Sequence, residues 1–466
     1  MSRRPSPPYD VILRGATLVS ESTRGVRDVA VRDGTITAVA PQVAGEAREE
    51  IEASGLHLLP GVIDLHVHFN DPGRAHWEGW RTGSAAAAVG GTTTVADMPL
   101  NASPPTLDAA AFDAKVAAAT GQSHVDFALW GGLTPRNLDN LGELAERGVI
   151  GFKAFMSNSG IDDFLAADDA TLREGMAQAA ALGLPAAVHA EDEAMTSRLT
   201  AEARAVGATS VQAYLDSRPP EAELAAIARA LELAEATGCE LYVVHISTAA
   251  GVQLVADARA RGVAVHAETC PHYLLFTADD LVSQGAAFKC APPLRTAAEQ
   301  QALANTVRQG HVDTLASDHS PSPPDMKATE DFFQVWGGVA GGQSLLAATL
   351  SSGVVARDDN SLQQAATLLS RHPAQVLRQP QKGDIAVGLD ADLVLVDVDR
   401  VFSLAESDLR YRHPVSPYVG FPFRGYPVRT FLRGVTIAQD GHVVAPPQGR
   451  LLTPARGSDR GGPAST

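Results

Sequence analysis

From about residue 60 to about residue 320 the chain repeats one pattern: a short apolar run, then an Ala-rich stretch of helical period. The apolar runs end near His68, Asp97, Gly131, Phe155, His189, Ser247, Thr269 and Asp318. "DAAAFDAKVAAAT" and "EAELAAIARALELAEATG" are examples of the stretches between them. Eight such units of roughly 30 residues predict parallel strands joined by helical crossovers, closed as a (β/α)8 TIM-like barrel. An open doubly wound sheet is the competitor, but it brings a glycine-rich phosphate loop after its first strand, and none follows here. The chain has 466 residues, more than the roughly 250 of a barrel, so it carries a further domain. Apolar content is 45% and aromatic content 5%, so the core is built from Ala, Val and Leu.

The two ends supply that further domain. Short strands and turns fill residues 9–58, with Asp33-Gly34 as a hairpin signal. "VILRGATLV" (Val11–Val19) is similar to "TFLRGVTIA" (Thr430–Ala438), and "RDGTITAVAP" to "QDGHVVAP". Both ends are therefore expected to pair into one small β-sandwich, built from 9–58 and 381–448, with the barrel (59–380) inserted between them. Residues 1–8 and 452–466 are rich in Pro, Arg, Gly and Ser, and are expected to be disordered tails.

The formal charge of −17 disfavours nucleic acid and anionic membrane as partners. No apolar run reaches the roughly 18 residues of a membrane span. Three cysteines (Cys239, Cys270, Cys290) are too few for a disulfide framework, which predicts a cytoplasmic protein with reduced thiols.

Polar residues stand where the predicted strands end: His66 and His68 in "GVIDLHVHFNDPGR", Lys153 in "IGFKAFM", His189 in "PAAVHAE", His245 in "LYVVHIS" and Asp318 in "TLASDHSP". In a barrel those ends converge on one mouth. His66 and His68, one residue apart, face one side of their strand and can bind one metal ion, and His189 and His245 a second. Such donors suit Zn²⁺, and also Co²⁺, Mn²⁺ or Fe²⁺. A lone histidine is more often a hydrogen-bonded core residue, but four with an aspartate on five strand ends are not explained that way. Lys153, desolvated beside cations, is expected as a neutral amine able to take up CO2. The resulting carbamate can bridge two metals; the bland alternative is a lysine snorkelling to solvent. Asp318 is the remaining ligand and the general base. Two metals sharing a water generate hydroxide, and a carboxylate touching it passes the proton to a leaving nitrogen.

With these residues in hand, the chain resembles the cyclic amidohydrolases, the family of dihydropyrimidinases (hydantoinases), dihydroorotases and allantoinases, over about residues 9–445. The resemblance implies a binuclear centre of His66, His68, Lys153 (as N6-carboxylysine), His189, His245 and Asp318. Within the family the motifs "HVHFNDPGR", "DMPLN", "KCAPPLR", "SDHSP" and "WGGVAGGQS" are most similar to those of allantoinases. Asn70 stands where dihydroorotases carry a carboxylate-binding arginine. "KAFMSNSG" lacks the tyrosine of dihydropyrimidinases. Ala291 replaces a serine found in some relatives. The resemblance implies hydrolysis of allantoin to allantoate, a step of purine catabolism, and a homotetramer. Asn101 and Ser320 are candidate substrate contacts, with a turn residue and a loop cap as the open alternatives. Gly337, Gly338, Gly341 and Gly342 are expected either to let backbone approach the substrate or to form a flexible loop. Cys270 and Cys290 are read as packing residues, and His272 and His319 as supporting ones. Two alternatives stay open: another cyclic ureide as substrate, as in hydantoinases, and a non-enzymatic scaffold that keeps the barrel.

Overall fold

The computed structural model describes residues 7–20, 24–355 and 359–455. Eight parallel strands form the barrel: Val62–Val67, Thr92–Asp97, Asp126–Leu129 (continued after Trp130 by Gly131–Gly132), Phe152–Phe155, Ala186–His189, Leu241–Val243, Val265–Thr269 and Thr314–Leu315. Strand one meets the continuation of strand eight where Val67 bridges His319, and the His68 N–H donates to the His319 carbonyl at 2.8 Å. That contact closes the ring, so the barrel expectation holds. Ile63, Ala96, Ala128, Trp130, Ala187 and Tyr242, from different strands, pack together inside it beneath the strand ends. The helices outside start as their sequences direct: Asp108, Asp168, Thr248 and Thr296 each accept an N–H of the first turn.

Both chain ends join one nine-stranded mixed sheet. Strand His57–Pro60 is the seam, parallel to Tyr9–Val19 and antiparallel to Leu393–Phe402. Leu13, Val29 and Leu58 from the amino end share a core with Ile385, Leu393 and Phe431 from the other. Asp33-Gly34 is a hairpin turn with both φ positive (51° and 82°), as are Arg433-Gly434 and Asp440-Gly441, the geometry that asks for glycine. The repeated "LRG" text is used differently at its two places. Gly15 sits at a break of register inside a strand, while Gly434 closes a hairpin.

Gly61 alone separates the seam strand from the first barrel strand. A Cβ there would lie 2.3 Å from Thr93 Oγ1. A buried ion cluster ties the two parts together: Lys382 Nζ donates to Asp126 of strand three (2.9 Å) and to Asp392, and Arg433 reaches the same Asp126 at 2.5 Å.

The tail expectation needs correction at the carboxyl end. Leu452 donates its N–H to Phe127 O at 2.7 Å and Ala455 to Arg378 O at 3.2 Å. Residues 452–455 thus run on from a bridge between Leu451 and strand three, because strand three offers them free backbone groups. Residues 1–6 and 456–466 of the expected tails lie outside the described residues. No helix among the described residues is long and apolar enough to cross a membrane.

Candidate metal centre

Asp318 Oδ1 lies 3.2 Å from His66 Nε2 and 3.5 Å from His68 Nε2. One ligand atom from each of the three falls within 4.8 Å of the others, an arrangement that could hold a metal ion. Beside it, His189 Nδ1 and His245 Nε2 are 3.1 Å apart. The two halves adjoin, with His66 and His245 ring centroids 5.4 Å apart. The strand ends thus bring the four histidines and Asp318 together.

Lys153 joins them from strand four. Its side chain is fully buried, and its Nζ has no hydrogen-bond partner among the described residues. The amine lies 5.2 Å from the Phe155 ring, which stacks on His189 at 4.4 Å. The snorkelling alternative is therefore excluded. Burial pushes the amine down to about 7, against the pull of Glu268 and Asp318.

The electrostatics keep the donors in their ligating forms. Burial holds the His68, His189 and His245 imidazoles below their ordinary value, with Lys153 and His189 adding to the effect at His245. Burial alone would raise Asp318, but His66, His68 and His245 outweigh it and hold the carboxyl far below the usual range. Local backbone conformation completes the geometry. His245 and Asp318 follow their strands with φ of 39° and 45°, a left-handed conformation that costs a residue with a side chain about 1–2 kcal/mol.

The four histidines and Asp318 floor a cavity of about 540 Å³ that also reaches Asn101, Ala291 and Ser320. Asn101 is buried with φ 69°, and its carbonyl accepts from Arg74 at 2.9 Å. The Ser320 carbonyl accepts from Trp336 Nε1 at 3.3 Å. Three cations line the wall, and each has partners. Arg218 pairs with Glu191, Arg204 with Asp331 at 3.3 Å, and Lys289 donates to the Phe332 and Val335 carbonyls at 2.6 Å. The glycine expectation changes for most of the loop. A Cβ on Gly338 would sit 2.1 Å from Ser320 O, and one on Gly341 or Gly342 would press on Tyr418 or His319. These glycines serve protein packing; Gly337 alone of the four lines the cavity. Cys270 and Cys290 are buried, with thiols pushed up by burial, the latter to about 12, as fits packing residues. His319 bonds through its backbone to strand one, and His272 is fully buried.

Two acids escaped the sequence reading. Glu268 Oε1 is 2.9 Å from His66 Nδ1, and Glu191 Oε2 is 2.8 Å from His189 Nε2. Both sit at strand ends, in "HAETC" and "VHAED". The signal that picked out the histidines, a polar residue closing an apolar run, was there for them too.

The chain is similar to known proteins over nearly its whole length. The amidohydrolase family profile matches residues 57–437. An allantoinase of Rubrobacter xylanophilus is 54% identical, covering 96% of this chain and 98% of its own. An allantoinase of Deinococcus radiodurans is 49% identical over 96% and 99%. Among solved structures, the L-hydantoinase (dihydropyrimidinase) from Arthrobacter aurescens superposes with a TM-score of 0.92 at 36% identity, covering 96% of this chain and all of that one. The chain belongs to the amidohydrolase family, as an enzyme of the cyclic amidohydrolase kind.

Proposed function

We propose that this enzyme hydrolyses the ring amide of allantoin, giving allantoate. The observation that carries the reading is the convergence of four imidazoles and one carboxylate on the floor of one cavity, with an unpartnered buried amine, Lys153, beneath Phe155 beside them. The near full-length similarity to allantoinases supports the choice of substrate.

The donor set fits a pair of divalent cations, and its nitrogen and oxygen atoms suit zinc. His66, His68 and Asp318 would hold one, and His189 and His245 the other. Lys153 supports the pairing. Its neutral amine would add to CO2, forming an N–C bond as one C=O π bond opens and giving up a proton to water, and the resulting carbamate would supply anionic oxygen donors to the cations. Bound there, divalent cations lower the pKa of water and polarise a carbonyl. Asp318 accepts the proton of the attacking water and returns it to the ring nitrogen as the C–N bond breaks. Asn101 and Ser320 are the proposed substrate contacts. A neutral substrate suits the wall, because its three cations are already committed to protein partners.

A hydantoinase reading is favoured by one observation, the superposition on L-hydantoinase. A panel of allantoin, hydantoin and dihydrouracil on metal-loaded enzyme separates the two. Allantoin is expected to open fastest, and far faster hydrolysis of dihydrouracil contradicts the proposal. Three further readings belong to the same proposal: a role in purine catabolism, a cytoplasmic location, which the three free buried thiols support, and a homotetramer, which light scattering tests.

A further inference from the structure

Barrel strand seven, Val265–Thr269, gives the proposed centre no ligand, yet it carries the fully buried carboxylate of Glu268. Oε1 of that carboxylate is 2.9 Å from His66 Nδ1 and accepts the backbone N–H of His245 at 3.2 Å. Oε2 accepts the Tyr242 hydroxyl at 2.7 Å, and the Tyr242 oxygen lies 2.6 Å from Thr314 Oγ1. One carboxylate therefore links strands one, six, seven and eight. It also reaches both halves of the proposed centre.

Three physical consequences follow. First, a carboxylate oxygen accepts hydrogen bonds, so the 2.9 Å contact favours the His66 tautomer that carries its hydrogen on Nδ1. Its Nε2, 3.2 Å from Asp318, is left with the lone pair a metal needs. Second, the bond to the His245 N–H falls on a residue with φ 39°, and helps to hold a backbone conformation that a side chain disfavours. Third, the Tyr242–Thr314 chain satisfies Oε2, so the carboxylate cannot rotate without breaking a buried hydrogen bond. Glu268 does not line the cavity, so it acts through the histidines and not on substrate.

We propose that Glu268, anchored by Tyr242, is the positioning residue that aims His66 Nε2 and fixes the backbone turn at His245 for metal binding. This rests on the metal-centre reading above.

The test is chelator competition on the full-length protein, with Zn²⁺ as the probe and the absorption spectrum of Co²⁺-loaded protein as a second readout. Wild type is expected to bind two ions per chain. E268Q keeps the shape and one acceptor, and is expected to lose roughly 10–100-fold in affinity with a shifted Co²⁺ spectrum. E268L, with no acceptor, is expected to bind more weakly still. Y242F frees Oε2 alone and is expected to show a smaller loss. Wild-type affinity and spectrum in E268Q and Y242F overturn the positioning role, and these two variants carry the test if E268L does not fold. A wild type that binds no metal overturns the centre itself, which is a distinguishable failure.

Discussion

His189 Nδ1 and His245 Nε2 face each other across 3.1 Å from neighbouring barrel strands. Both side chains are buried. His245→Asn is expected to remove one bound cation per chain and to lower kcat/KM by at least about 100-fold, the upper end for groups that only support ligands. Elemental analysis alongside steady-state kinetics checks both.

Gly338 lies against the carbonyl of Ser320, where an added Cβ would meet backbone at 2.1 Å. Gly338→Ala is expected to displace the Trp336–Gly338 segment or Ser320, at a cost of about 1–3 kcal/mol as for other overpacked sites. Thermal melts and kcat/KM on allantoin are both expected to fall. Unchanged kinetics in a destabilised variant would mean that Ser320 does not touch substrate.

The ion cluster between sheet and barrel predicts a stability effect without a catalytic one. Lys382 stands between Asp126, Asp392 and Asp390. Lys382→Met leaves Asp392 buried without its cation, while Asp126 keeps Arg433; the loss is expected to cost about 3–5 kcal/mol. Chemical denaturation measures it, while metal content is expected to hold in the folded fraction.

Acid sensitivity is expected in the small sheet. Burial raises Asp28, but the Val43 N–H, the Arg14 guanidinium and the Gly15 N–H outweigh it, so its carboxyl is held below the ordinary value. A folded pKa below the unfolded one gives stability that is present above about pH 4 and lost as pH falls through the folded value. Asp28→Asn is expected to destabilise the protein at neutral pH by about 1–3 kcal/mol and to flatten the acid limb of a melting series between pH 3 and pH 7.

The barrel was legible because its strands are near-continuous apolar runs, and the polar residue closing each run marks the mouth. His66, Lys153 and Asp318 stood out for that reason. Glu268 and Glu191 carry the same strand-end signal, but a glutamate there reads alike whether it meets water or an imidazole, so their role was not legible. Only the fold shows that His66 and Glu268, 202 positions apart, are in contact. The fate of residues 452–455 was equally hidden. Their composition is that of a tail, and what orders them is the open edge of a strand more than 300 residues earlier. The roles of Gly338 and Gly341 depend on neighbours brought in by the fold, Ser320 and Tyr418, so the text alone could not separate packing from flexibility.

Metal stoichiometry measured with allantoin turnover, before and after chelation, tests the central proposal most directly. Two divalent cations per chain are expected, with turnover lost on their removal and regained on adding metal and bicarbonate. Full turnover by protein stripped to trace metal would contradict it.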